Sequence, residues 1–429
     1  DWSSDVCSSD LNLFCTNEDL FTQTIVVPYL IPMLQNAGAI VFTPRERDWQ
    51  TNEIVIDNDD AVKSVYYFEK EASKRWKNCD SLGFANRYRL KDGENPFRMG
   101  TVRQAKATKR KKTSQVSYQP RFKEAGKYAV YVSYQSLPKS VSDARYIVYH
   151  KGEATEFSVN QRMGGGTWVY LGTFDFDKGC NEFNRVVCTN KASRRGVVTT
   201  DAVRFGGGMG NIERGGYTSG LPRCLEGARY YAQWAGAPYK VYGGRKGEND
   251  YADDINTRSL MTNWLGGGSV YMPAKNGKHV PIELSLALHS DAGYNKDGKS
   301  TVGALAICTT DYNDGILNSG ISRFTSKDFA RALRDNLVTD LTAQFGEFGK
   351  RYLWDRNYSE TRLPEVPSAI LEMLSHQNFP DMRIAQDPLG KFYIARSIYK
   401  TILRFVNSNH GTRYVVQPLA PQNFSVTQN

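Results

Sequence analysis

The middle third of the sequence is a run of short strands, and this feature constrains the fold more than any other. From about Tyr66 to Phe205, segments of alternating apolar residues are separated by turn residues, as in KYAVYVSYQ and TWVYLGTFDFDKG. ARYIVYHKGEATEFSVNQ predicts a hairpin that turns at Lys151 and Gly152. Several strands at this spacing predict a β-sandwich.

Helical sequence precedes the sandwich. NEDLFTQTIVVPYLIPMLQNAG predicts a helix with Thr16 or Asn17 as its N-cap and Gly38 at its end. Pro28 and Pro32 should bend this helix because proline has no N–H to donate. AIVFTPR, which follows directly, predicts a short buried strand. A helix followed by a strand is typical of α/β proteins.

The same α/β pattern returns after the sandwich. Helices are predicted for PRCLEGARYYAQWAG, SKDFARALRDNLVTDLTAQF and FYIARSIYKTILRFV, and strands for PIELSLAL, VGALAICTT and VPSAILEML. A chain of 429 residues is too long for one ordinary compact domain. The simplest fold class is α/β: an open three-layer αβα domain interrupted by an inserted β-sandwich.

These changes of pattern predict the domain bounds. Residues 12–62 are the first part of the α/β domain, residues 63–212 the sandwich, residues 213–410 the second part, and residues 411–429 a tail or the start of a further module. Residues 1–11, DWSSDVCSSDL, resemble the translation of a sequencing-adapter oligonucleotide, and we interpret them as non-native. We therefore expect the native N-terminus and any signal peptide to be missing from this sequence.

The net charge of +10 predicts anionic partners. The basic run KATKRKKT has none of the interleaved aromatic residues of a nucleic-acid platform, so a solvated loop is the better interpretation and no nucleic acid is expected. No apolar run reaches the roughly 18 residues that a membrane helix needs, and no membrane span is predicted.

Three residues are candidates for chemistry. His289 ends the strand PIELSLAL, at the edge where open α/β sheets place their ligands. Glu372 interrupts the apolar strand 369–374, where an unpaired carboxylate would cost several kcal/mol. Glu18 lies in the first turn of the first helix. Each has a structural alternative: a polar core residue, a structural buried acid, and an acid that stabilises the helix dipole.

The same three residues carry a resemblance. NEDLFTQTIVVPYLIPMLQNAGAIVFTPRERD resembles the first helix and second strand of the zinc-dependent N-acetylmuramoyl-L-alanine amidases, LALHSDAG resembles their strand that ends in a ligand histidine, and AILEMLSHQN resembles their strand with the catalytic glutamate. The resemblance implies that Glu18 and His289 bind Zn²⁺ and that Glu372 is the general base and acid. Arg45 and Arg47 fall in the family's arginine loop, with a structural or substrate-facing role.

The family has a further zinc ligand, a histidine just upstream of the helix. No histidine lies between Asn12 and Glu18, so the resemblance implies that it preceded the present sequence and leaves open whether this chain holds zinc. His376 would orient Glu372 or contact substrate, with a structural hydrogen bond as the alternative. Asp291 would be a hydrogen-bond partner of His289, or otherwise a solvated turn acid.

The sandwich carries its own resemblance. WVYLGTFDFDKG followed by VVTTDAVRFGGGMG is similar to the golvesin C-terminal-like domain, a carbohydrate-binding-like sandwich often found in proteins named xanthan lyases. Its insertion into an amidase-like domain resembles a group of Bacteroidetes cell-envelope proteins. The combination implies a periplasmic or secreted amidase that acts on peptidoglycan or another anionic glycan.

Two other functions stay open. A non-catalytic glycan-binding protein would have this sandwich beside a degenerate amidase domain. A polysaccharide lyase would need a base and a charge-neutralising group in a long cleft, and the sequence shows no such constellation.

Overall fold

The computed structural model describes residues 16–60, 66–72 and 74–419. The predicted adapter segment, residues 1–11, and the last part of the predicted tail, residues 420–429, lie outside the described residues. The described chain is a mixed α/β structure with several sheets, so the predicted fold class is confirmed.

Three sheets of the middle region form the sandwich. One has the strand order β1 (Ile54–Asp57), β13 (Ala202–Phe205), β7 (Gly126–Val132), β10 (Val169–Phe176). The second has the order β2 (Tyr67–Lys70), β6 (Gln115–Tyr118), β11 (Arg185–Thr189), β8 (Ala144–His150), β9 (Glu153–Val159). The third is β12 (Val197–Thr200), β5 (Gly100–Lys106), β3 (Lys77–Gly83), and a small parallel pair is formed by β14 (Ile212–Glu213) and β4 (Leu90–Lys91).

The sandwich pairs its strands in antiparallel ladders around one apolar core. The predicted hairpin joins β8 to β9, and its turn residues Lys151 and Gly152 have φ angles of 47° and 83°. Positive φ at both central positions is the geometry of the tight hairpin turn that matches strand twist. Strand β1 pairs with β13, so the sandwich sheet includes residues that precede position 63, the predicted start of the sandwich. The domain bounds themselves stay a prediction.

The α/β region is built around a four-stranded sheet of its own. Its strand order is β15 (Ser285–Asp291), β18 (Ser368–Ser375), β16 (Ala304–Cys308), β17 (Lys350–Asp355). Strands β15 and β18 are parallel, β18 and β16 antiparallel, and β16 and β17 parallel. The carboxyl ends of β15 and β18 therefore meet at one rim of the sheet.

Nine helices accompany the strands in the described chain, apart from two single 3₁₀ turns and one π-helical turn. They are α1 (Glu18–Ile25), α2 (Ile31–Asn36), α3 (Ala228–Trp234), α4 (Tyr239–Tyr242), α5 (Asp250–Gly266), α6 (Phe324–Phe345), α7 (Ser359–Arg362), α8 (Phe379–Ala385) and α9 (Pro388–His410). Helices α1, α6 and α9 contribute to one core cluster with the sheet, and α7 contacts β18 and β16. None of the described helices is both long and apolar enough to cross a membrane.

The first helix begins as predicted and is interrupted at the first proline. The side chain of Asn17 accepts a hydrogen bond from the N–H of Leu20 and caps α1. Residues Val26–Leu30 form a π-helical turn that contains Pro28, and the N–H of Ile31 bonds to the carbonyl of Val26. The missing proline N–H explains the wider turn.

The prediction of a strand for AIVFTPR was wrong. Residues 39–45 have no strand conformation, and Ile40 and Phe42 are 75% and 36% exposed. A strand needs a neighbouring ladder for its backbone groups, and within the described residues no strand pairs with this segment.

Aromatic rings join the sandwich to the helices that follow it. Phe84 and Trp168 from the sandwich pack on Trp234 of α3, with ring centroids 5.7 Å and 5.9 Å from that indole. Nearby, the fully buried Arg204 of β13 donates to Glu46 at 2.6 Å, and Tyr131 donates to the other oxygen of the same carboxylate. Glu46 thus connects the loop after the first helices to the sandwich.

Removal of Arg204 should destabilise the protein strongly. Arg204→Met leaves Glu46 buried without its cation, and we expect a loss of about 3–5 kcal/mol in the free energy of unfolding. The double variant Glu46→Gln with Arg204→Met should recover part of that loss, as judged from denaturant unfolding. A loss in Arg204→Met no larger than that of the exposed-pair variant Arg331→Met would contradict this account.

Two acids in the sandwich are buried close together. Burial raises the pKa of Asp57 and of Asp201 well above the ordinary value, and mutual repulsion adds to the effect at Asp57. The folded protein therefore keeps protons that the unfolded chain releases near about pH 4.

Stability should consequently fall as the pH rises. The contribution of these acids is fully present below about pH 4 and is lost as the pH rises through their raised pKa values. Asp57→Asn should flatten the slope and raise the melting temperature at pH 8, measured by a series of thermal melts from pH 5 to pH 9. The exposed acid Asp80 serves as control, and an Asp57→Asn slope as steep as that of Asp80→Asn would refute the assignment.

Candidate metal centre

The register of β15 and β18 places the two predicted strand-end residues side by side. His289 is the direct partner of Glu372 in the parallel ladder. Neighbouring strands lie about 4.8 Å apart, and alternate residues share a face of the sheet. Ala287 and Ile370, each two residues earlier, both contact the small apolar cluster on one face of the sheet. His289 and Glu372 therefore project from that face.

Helix α1 supplies the third predicted residue. Glu18 lies in its first turn, and its Oε1 accepts a hydrogen bond from the N–H of Ser290 at 3.1 Å. The same oxygen lies 2.7 Å from Nδ1 of His289. The start of α1 is thus attached to the end of β15, and this attachment brings together residues 271 positions apart in the sequence.

Glu18, His289 and Glu372 form a cluster that we call the metal centre. One ligand atom from each lies within 4.8 Å of the others. Oε2 of Glu372 is buried and has no hydrogen-bond partner among the described residues. Imidazole nitrogen and carboxylate oxygen are ligands that zinc accepts. Glu18 and His289 offer such donors to a divalent cation, and the unpartnered carboxylate oxygen of Glu372 lies beside them.

The two carboxyl groups of the cluster have pKa values that are shifted in opposite directions. Burial raises the pKa of Glu372 to about 7, with Glu18 and Asp291 adding repulsion. Burial also opposes ionisation of Glu18, but the imidazole of His289 and the N–H of Ser290 outweigh it and lower the pKa. One acid is therefore held ionised, while the other exchanges its proton near neutral pH.

A fourth side chain, Glu360, is one that sequence reasoning missed. Its Oε2 lies 2.9 Å from Nε2 of His289. Burial opposes its ionisation, but His289 and Arg258 lower the pKa of Glu360 to about 2. Burial likewise opposes the charge on His289, and Glu360 and Glu18 raise the pKa of the imidazole well above its usual range. Helix α7 has only four residues, too few for a helical periodicity, so no sequence pattern indicated this residue.

Charged residues of alternating sign continue from Glu360 back to helix α1. Arg258 of α5 pairs with Glu360 at 3.3 Å and with Asp254 at 3.2 Å. Arg45 lies 3.8 Å from Asp254 and 3.2 Å from Asp19, the residue after Glu18. We call this closed series the charge ring; its members are Glu18, His289, Glu360, Arg258, Asp254, Arg45 and Asp19.

The two arginines of the predicted arginine loop have structural partners. Arg45 belongs to the charge ring. Arg47 donates to the carbonyl of Val41, and its guanidinium lies 4.3 Å from the centroid of the Tyr170 ring in the sandwich. These contacts fit the structural alternative stated for both residues.

The remaining two predicted residues flank the centre. Asp291 pairs with Arg351 and accepts a hydrogen bond from the N–H of Ala292. The two nitrogens of His289 contact Glu18 and Glu360, so Asp291 does not take the predicted place beside that imidazole. His376 is buried, and its Nδ1 lies 3.0 Å from both the hydroxyl and the carbonyl oxygen of Ser290. It therefore fixes the residue that follows His289.

Comparison with known proteins identifies part of the sandwich. Residues 91–207 match the family described as the Golvesin C-terminal domain. A xanthan lyase from Bacillus sp. (strain GL1) is 34% identical over 97 residues, which are 22% of this chain and 10% of that protein. The chain thus spans about a tenth of the length of this relative. The solved xanthan lyase of Paenibacillus is 20% identical, with a TM-score of 0.29, over 36% of this chain and 13% of that chain.

Solved amidases are also similar to the chain. The N-acetylmuramoyl-L-alanine amidase of Clostridium difficile 630 is 13% identical, with a TM-score of 0.26, over 39% of this chain and 80% of that chain. The amidase of Mycobacterium smegmatis is 18% identical, with a TM-score of 0.25, over 44% and 86%. Because these sequence identities and TM-scores are low, the argument for function rests on the residues of the centre itself.

The centre should bind Zn²⁺ and gain thermal stability from it. A ligand at 100 times its Kd stabilises the folded state by about 2.7 kcal/mol, and we expect a zinc-dependent rise in melting temperature. Glu18→Gln and His289→Gln should each weaken zinc binding by at least about 100-fold, more than the loss of an outer hydrogen bond. Isothermal titration measures the affinities.

His410→Gln is the matched control for this titration. His410 and Glu283 form another imidazole–carboxylate pair at 2.8 Å, on the surface and without a third ligand. Its variant should bind zinc as the unmodified chain does. Equal zinc affinity in His289→Gln and His410→Gln would rule out the assigned centre.

Proposed function

We propose that this protein is a hydrolase of amide bonds of the N-acetylmuramoyl-L-alanine amidase type. The observation that carries the proposal is the convergence of Glu18, His289 and Glu372 at one rim of the sheet, with one ligand atom from each within 4.8 Å of the others. Two of these residues suit a metal, and the third is a carboxyl with a pKa of about 7. A metal site beside an acid that titrates near neutral pH is what amide hydrolysis requires.

Glu18 and His289 would hold the metal, which we propose to be Zn²⁺. When bound, zinc lowers the pKa of a coordinated water and polarises a carbonyl oxygen.

Glu372 would move the protons of the reaction. Its unpartnered Oε2 is available to accept a proton from the attacking water. With a pKa of about 7 it releases that proton readily to the departing amine nitrogen. The water oxygen forms the new C–O bond as its proton passes to Glu372, the C–N bond breaks, and that proton goes to the departing nitrogen. The products are a carboxylic acid and a neutral amine, so the proton count balances.

The substrate class follows from the charge and the second domain. The net charge of +10 favours an anionic polymer, and the golvesin-type sandwich supports a glycan. We therefore propose peptidoglycan as the substrate, cleaved between N-acetylmuramic acid and L-alanine, with a periplasmic or secreted location for the protein.

Glu372→Gln should abolish peptide release. Glutamine cannot accept the proton, so kcat should fall by about 10²- to 10⁴-fold while KM changes little. The assay incubates the zinc-supplemented chain with purified peptidoglycan and quantifies free stem peptides by mass spectrometry. His410→Gln is again the control with unchanged turnover.

The same assay separates the proposal from its alternatives. Wild-type chain that sediments with peptidoglycan yet releases no peptide would identify a non-catalytic glycan-binding protein. Products that absorb ultraviolet light as unsaturated uronates, formed from an acidic polysaccharide, would identify a lyase. Full peptide release by Glu372→Gln would remove this residue from the mechanism.

A further inference from the structure

Glu360 contacts one ring nitrogen of His289, and the metal centre lies at the other ring nitrogen. Nδ1 of the imidazole lies 2.7 Å from Glu18, a member of the centre, whereas Nε2 lies 2.9 Å from Glu360, which is not a member. We infer that Glu360 is a positioning residue, which accepts the Nε2–H hydrogen bond and holds the imidazole with Nδ1 toward Glu18 and Glu372. The inference rests on the proposed function for the metal that Nδ1 would bind.

The imidazole needs such a partner because its orientation is otherwise loosely determined. Rotation about the bond to the ring has broad, roughly two-fold minima, and a half turn would replace Nδ1 by a carbon atom. An ionised carboxylate can only accept, so Nε2 must carry the proton opposite Glu360. By the same reasoning Nδ1 carries a proton opposite Glu18, and a metal would have to replace that proton at Nδ1 while the Nε2–H hydrogen bond to Glu360 persists.

Helix α5 holds Glu360 in place through several contacts. Ser259 donates from its hydroxyl to the carbonyl of Ser359 at 3.1 Å, and Asn263 donates from its amide to the carbonyl of Leu363 at 2.8 Å. These two bonds fix both ends of the short helix α7. Arg258, the residue before Ser259 on α5, pairs with the Glu360 carboxylate itself at 3.3 Å.

The charge ring gives Glu360 a second connection to the centre. Through Arg258, Asp254 and Arg45 it reaches Asp19, which adjoins the metal-centre residue Glu18. This series of charge pairs therefore ends beside Glu18, which contacts the other ring nitrogen of His289. A purely structural Glu360 would serve only to pair with Arg258, which already has Asp254 as a partner. The contact with Nε2 indicates a role toward the imidazole.

The test compares variants at Glu360 with a matched carboxylate elsewhere. Glu360→Ala removes the acceptor, Glu360→Gln keeps a neutral acceptor oxygen, and Glu283→Ala removes the surface carboxylate that pairs with His410. Two quantities are measured on the full chain: the Kd for Zn²⁺ by competition titration, and the Nε2–H signal of His289 in the metal-free protein by nitrogen-edited NMR. The variant His289→Gln assigns that signal.

We expect Glu360→Ala to weaken zinc binding by about 10- to 100-fold and to eliminate the protected Nε2–H signal. Glu360→Gln should restore part of both, and Glu283→Ala should change neither. Zinc affinity in Glu360→Ala within twofold of the unmodified chain, or a persisting Nε2–H signal, would overturn the positioning role and leave the proposed function intact. Absence of zinc binding by the unmodified chain would instead refute the proposed metal, and the NMR signal would still decide the role of Glu360.

Discussion

The α/β region is organised around one imidazole that contacts two carboxylates and lies beside a third. His289 is approached by Glu18 at Nδ1 and by Glu360 at Nε2, and it is paired in register with Glu372. These acids come from helix α1, helix α7 and strand β18, so one side chain fixes the relative placement of elements from both ends of the chain. Such an excess of negative charge in a half-buried place is costly unless cations compensate it.

Compensation is supplied differently on the two sides of the imidazole. On the Glu360 side, Arg258 and Arg45 alternate with acids and complete the charge ring. On the Glu372 side, the described residues offer no hydrogen-bond partner to Oε2, and burial raises the pKa of that carboxyl to about 7. On the Glu360 side, arginines therefore neutralise the carboxylates. On the Glu372 side, the carboxyl group retains the capacity to bind a cation or to exchange a proton. This asymmetry is the physical basis of the proposed hydrolase.

The sandwich is attached to this region by buried contacts. Glu46 lies in the arginine loop, between Arg45 and Arg47, and pairs with Arg204 inside the sandwich, while Arg47 lies against Tyr170. Aromatic rings of the sandwich also pack on Trp234 of α3. These contacts join the sandwich to the elements that surround the centre.

The sequence by itself predicted most of the element types and, through the family resemblance, the three residues of the centre. Period-two and helical patterns predicted the sandwich, the hairpin at Lys151 and the strands that end near His289 and Glu372, because these patterns follow from local geometry. Tertiary structure alone decided that residues 39–45 form no strand, that Asp291 pairs with Arg351, and that Glu360 faces His289. Strand formation requires a neighbour in the sheet, and a charge partner can come from any element that folds nearby, so neither is encoded in the spacing of residues along the chain.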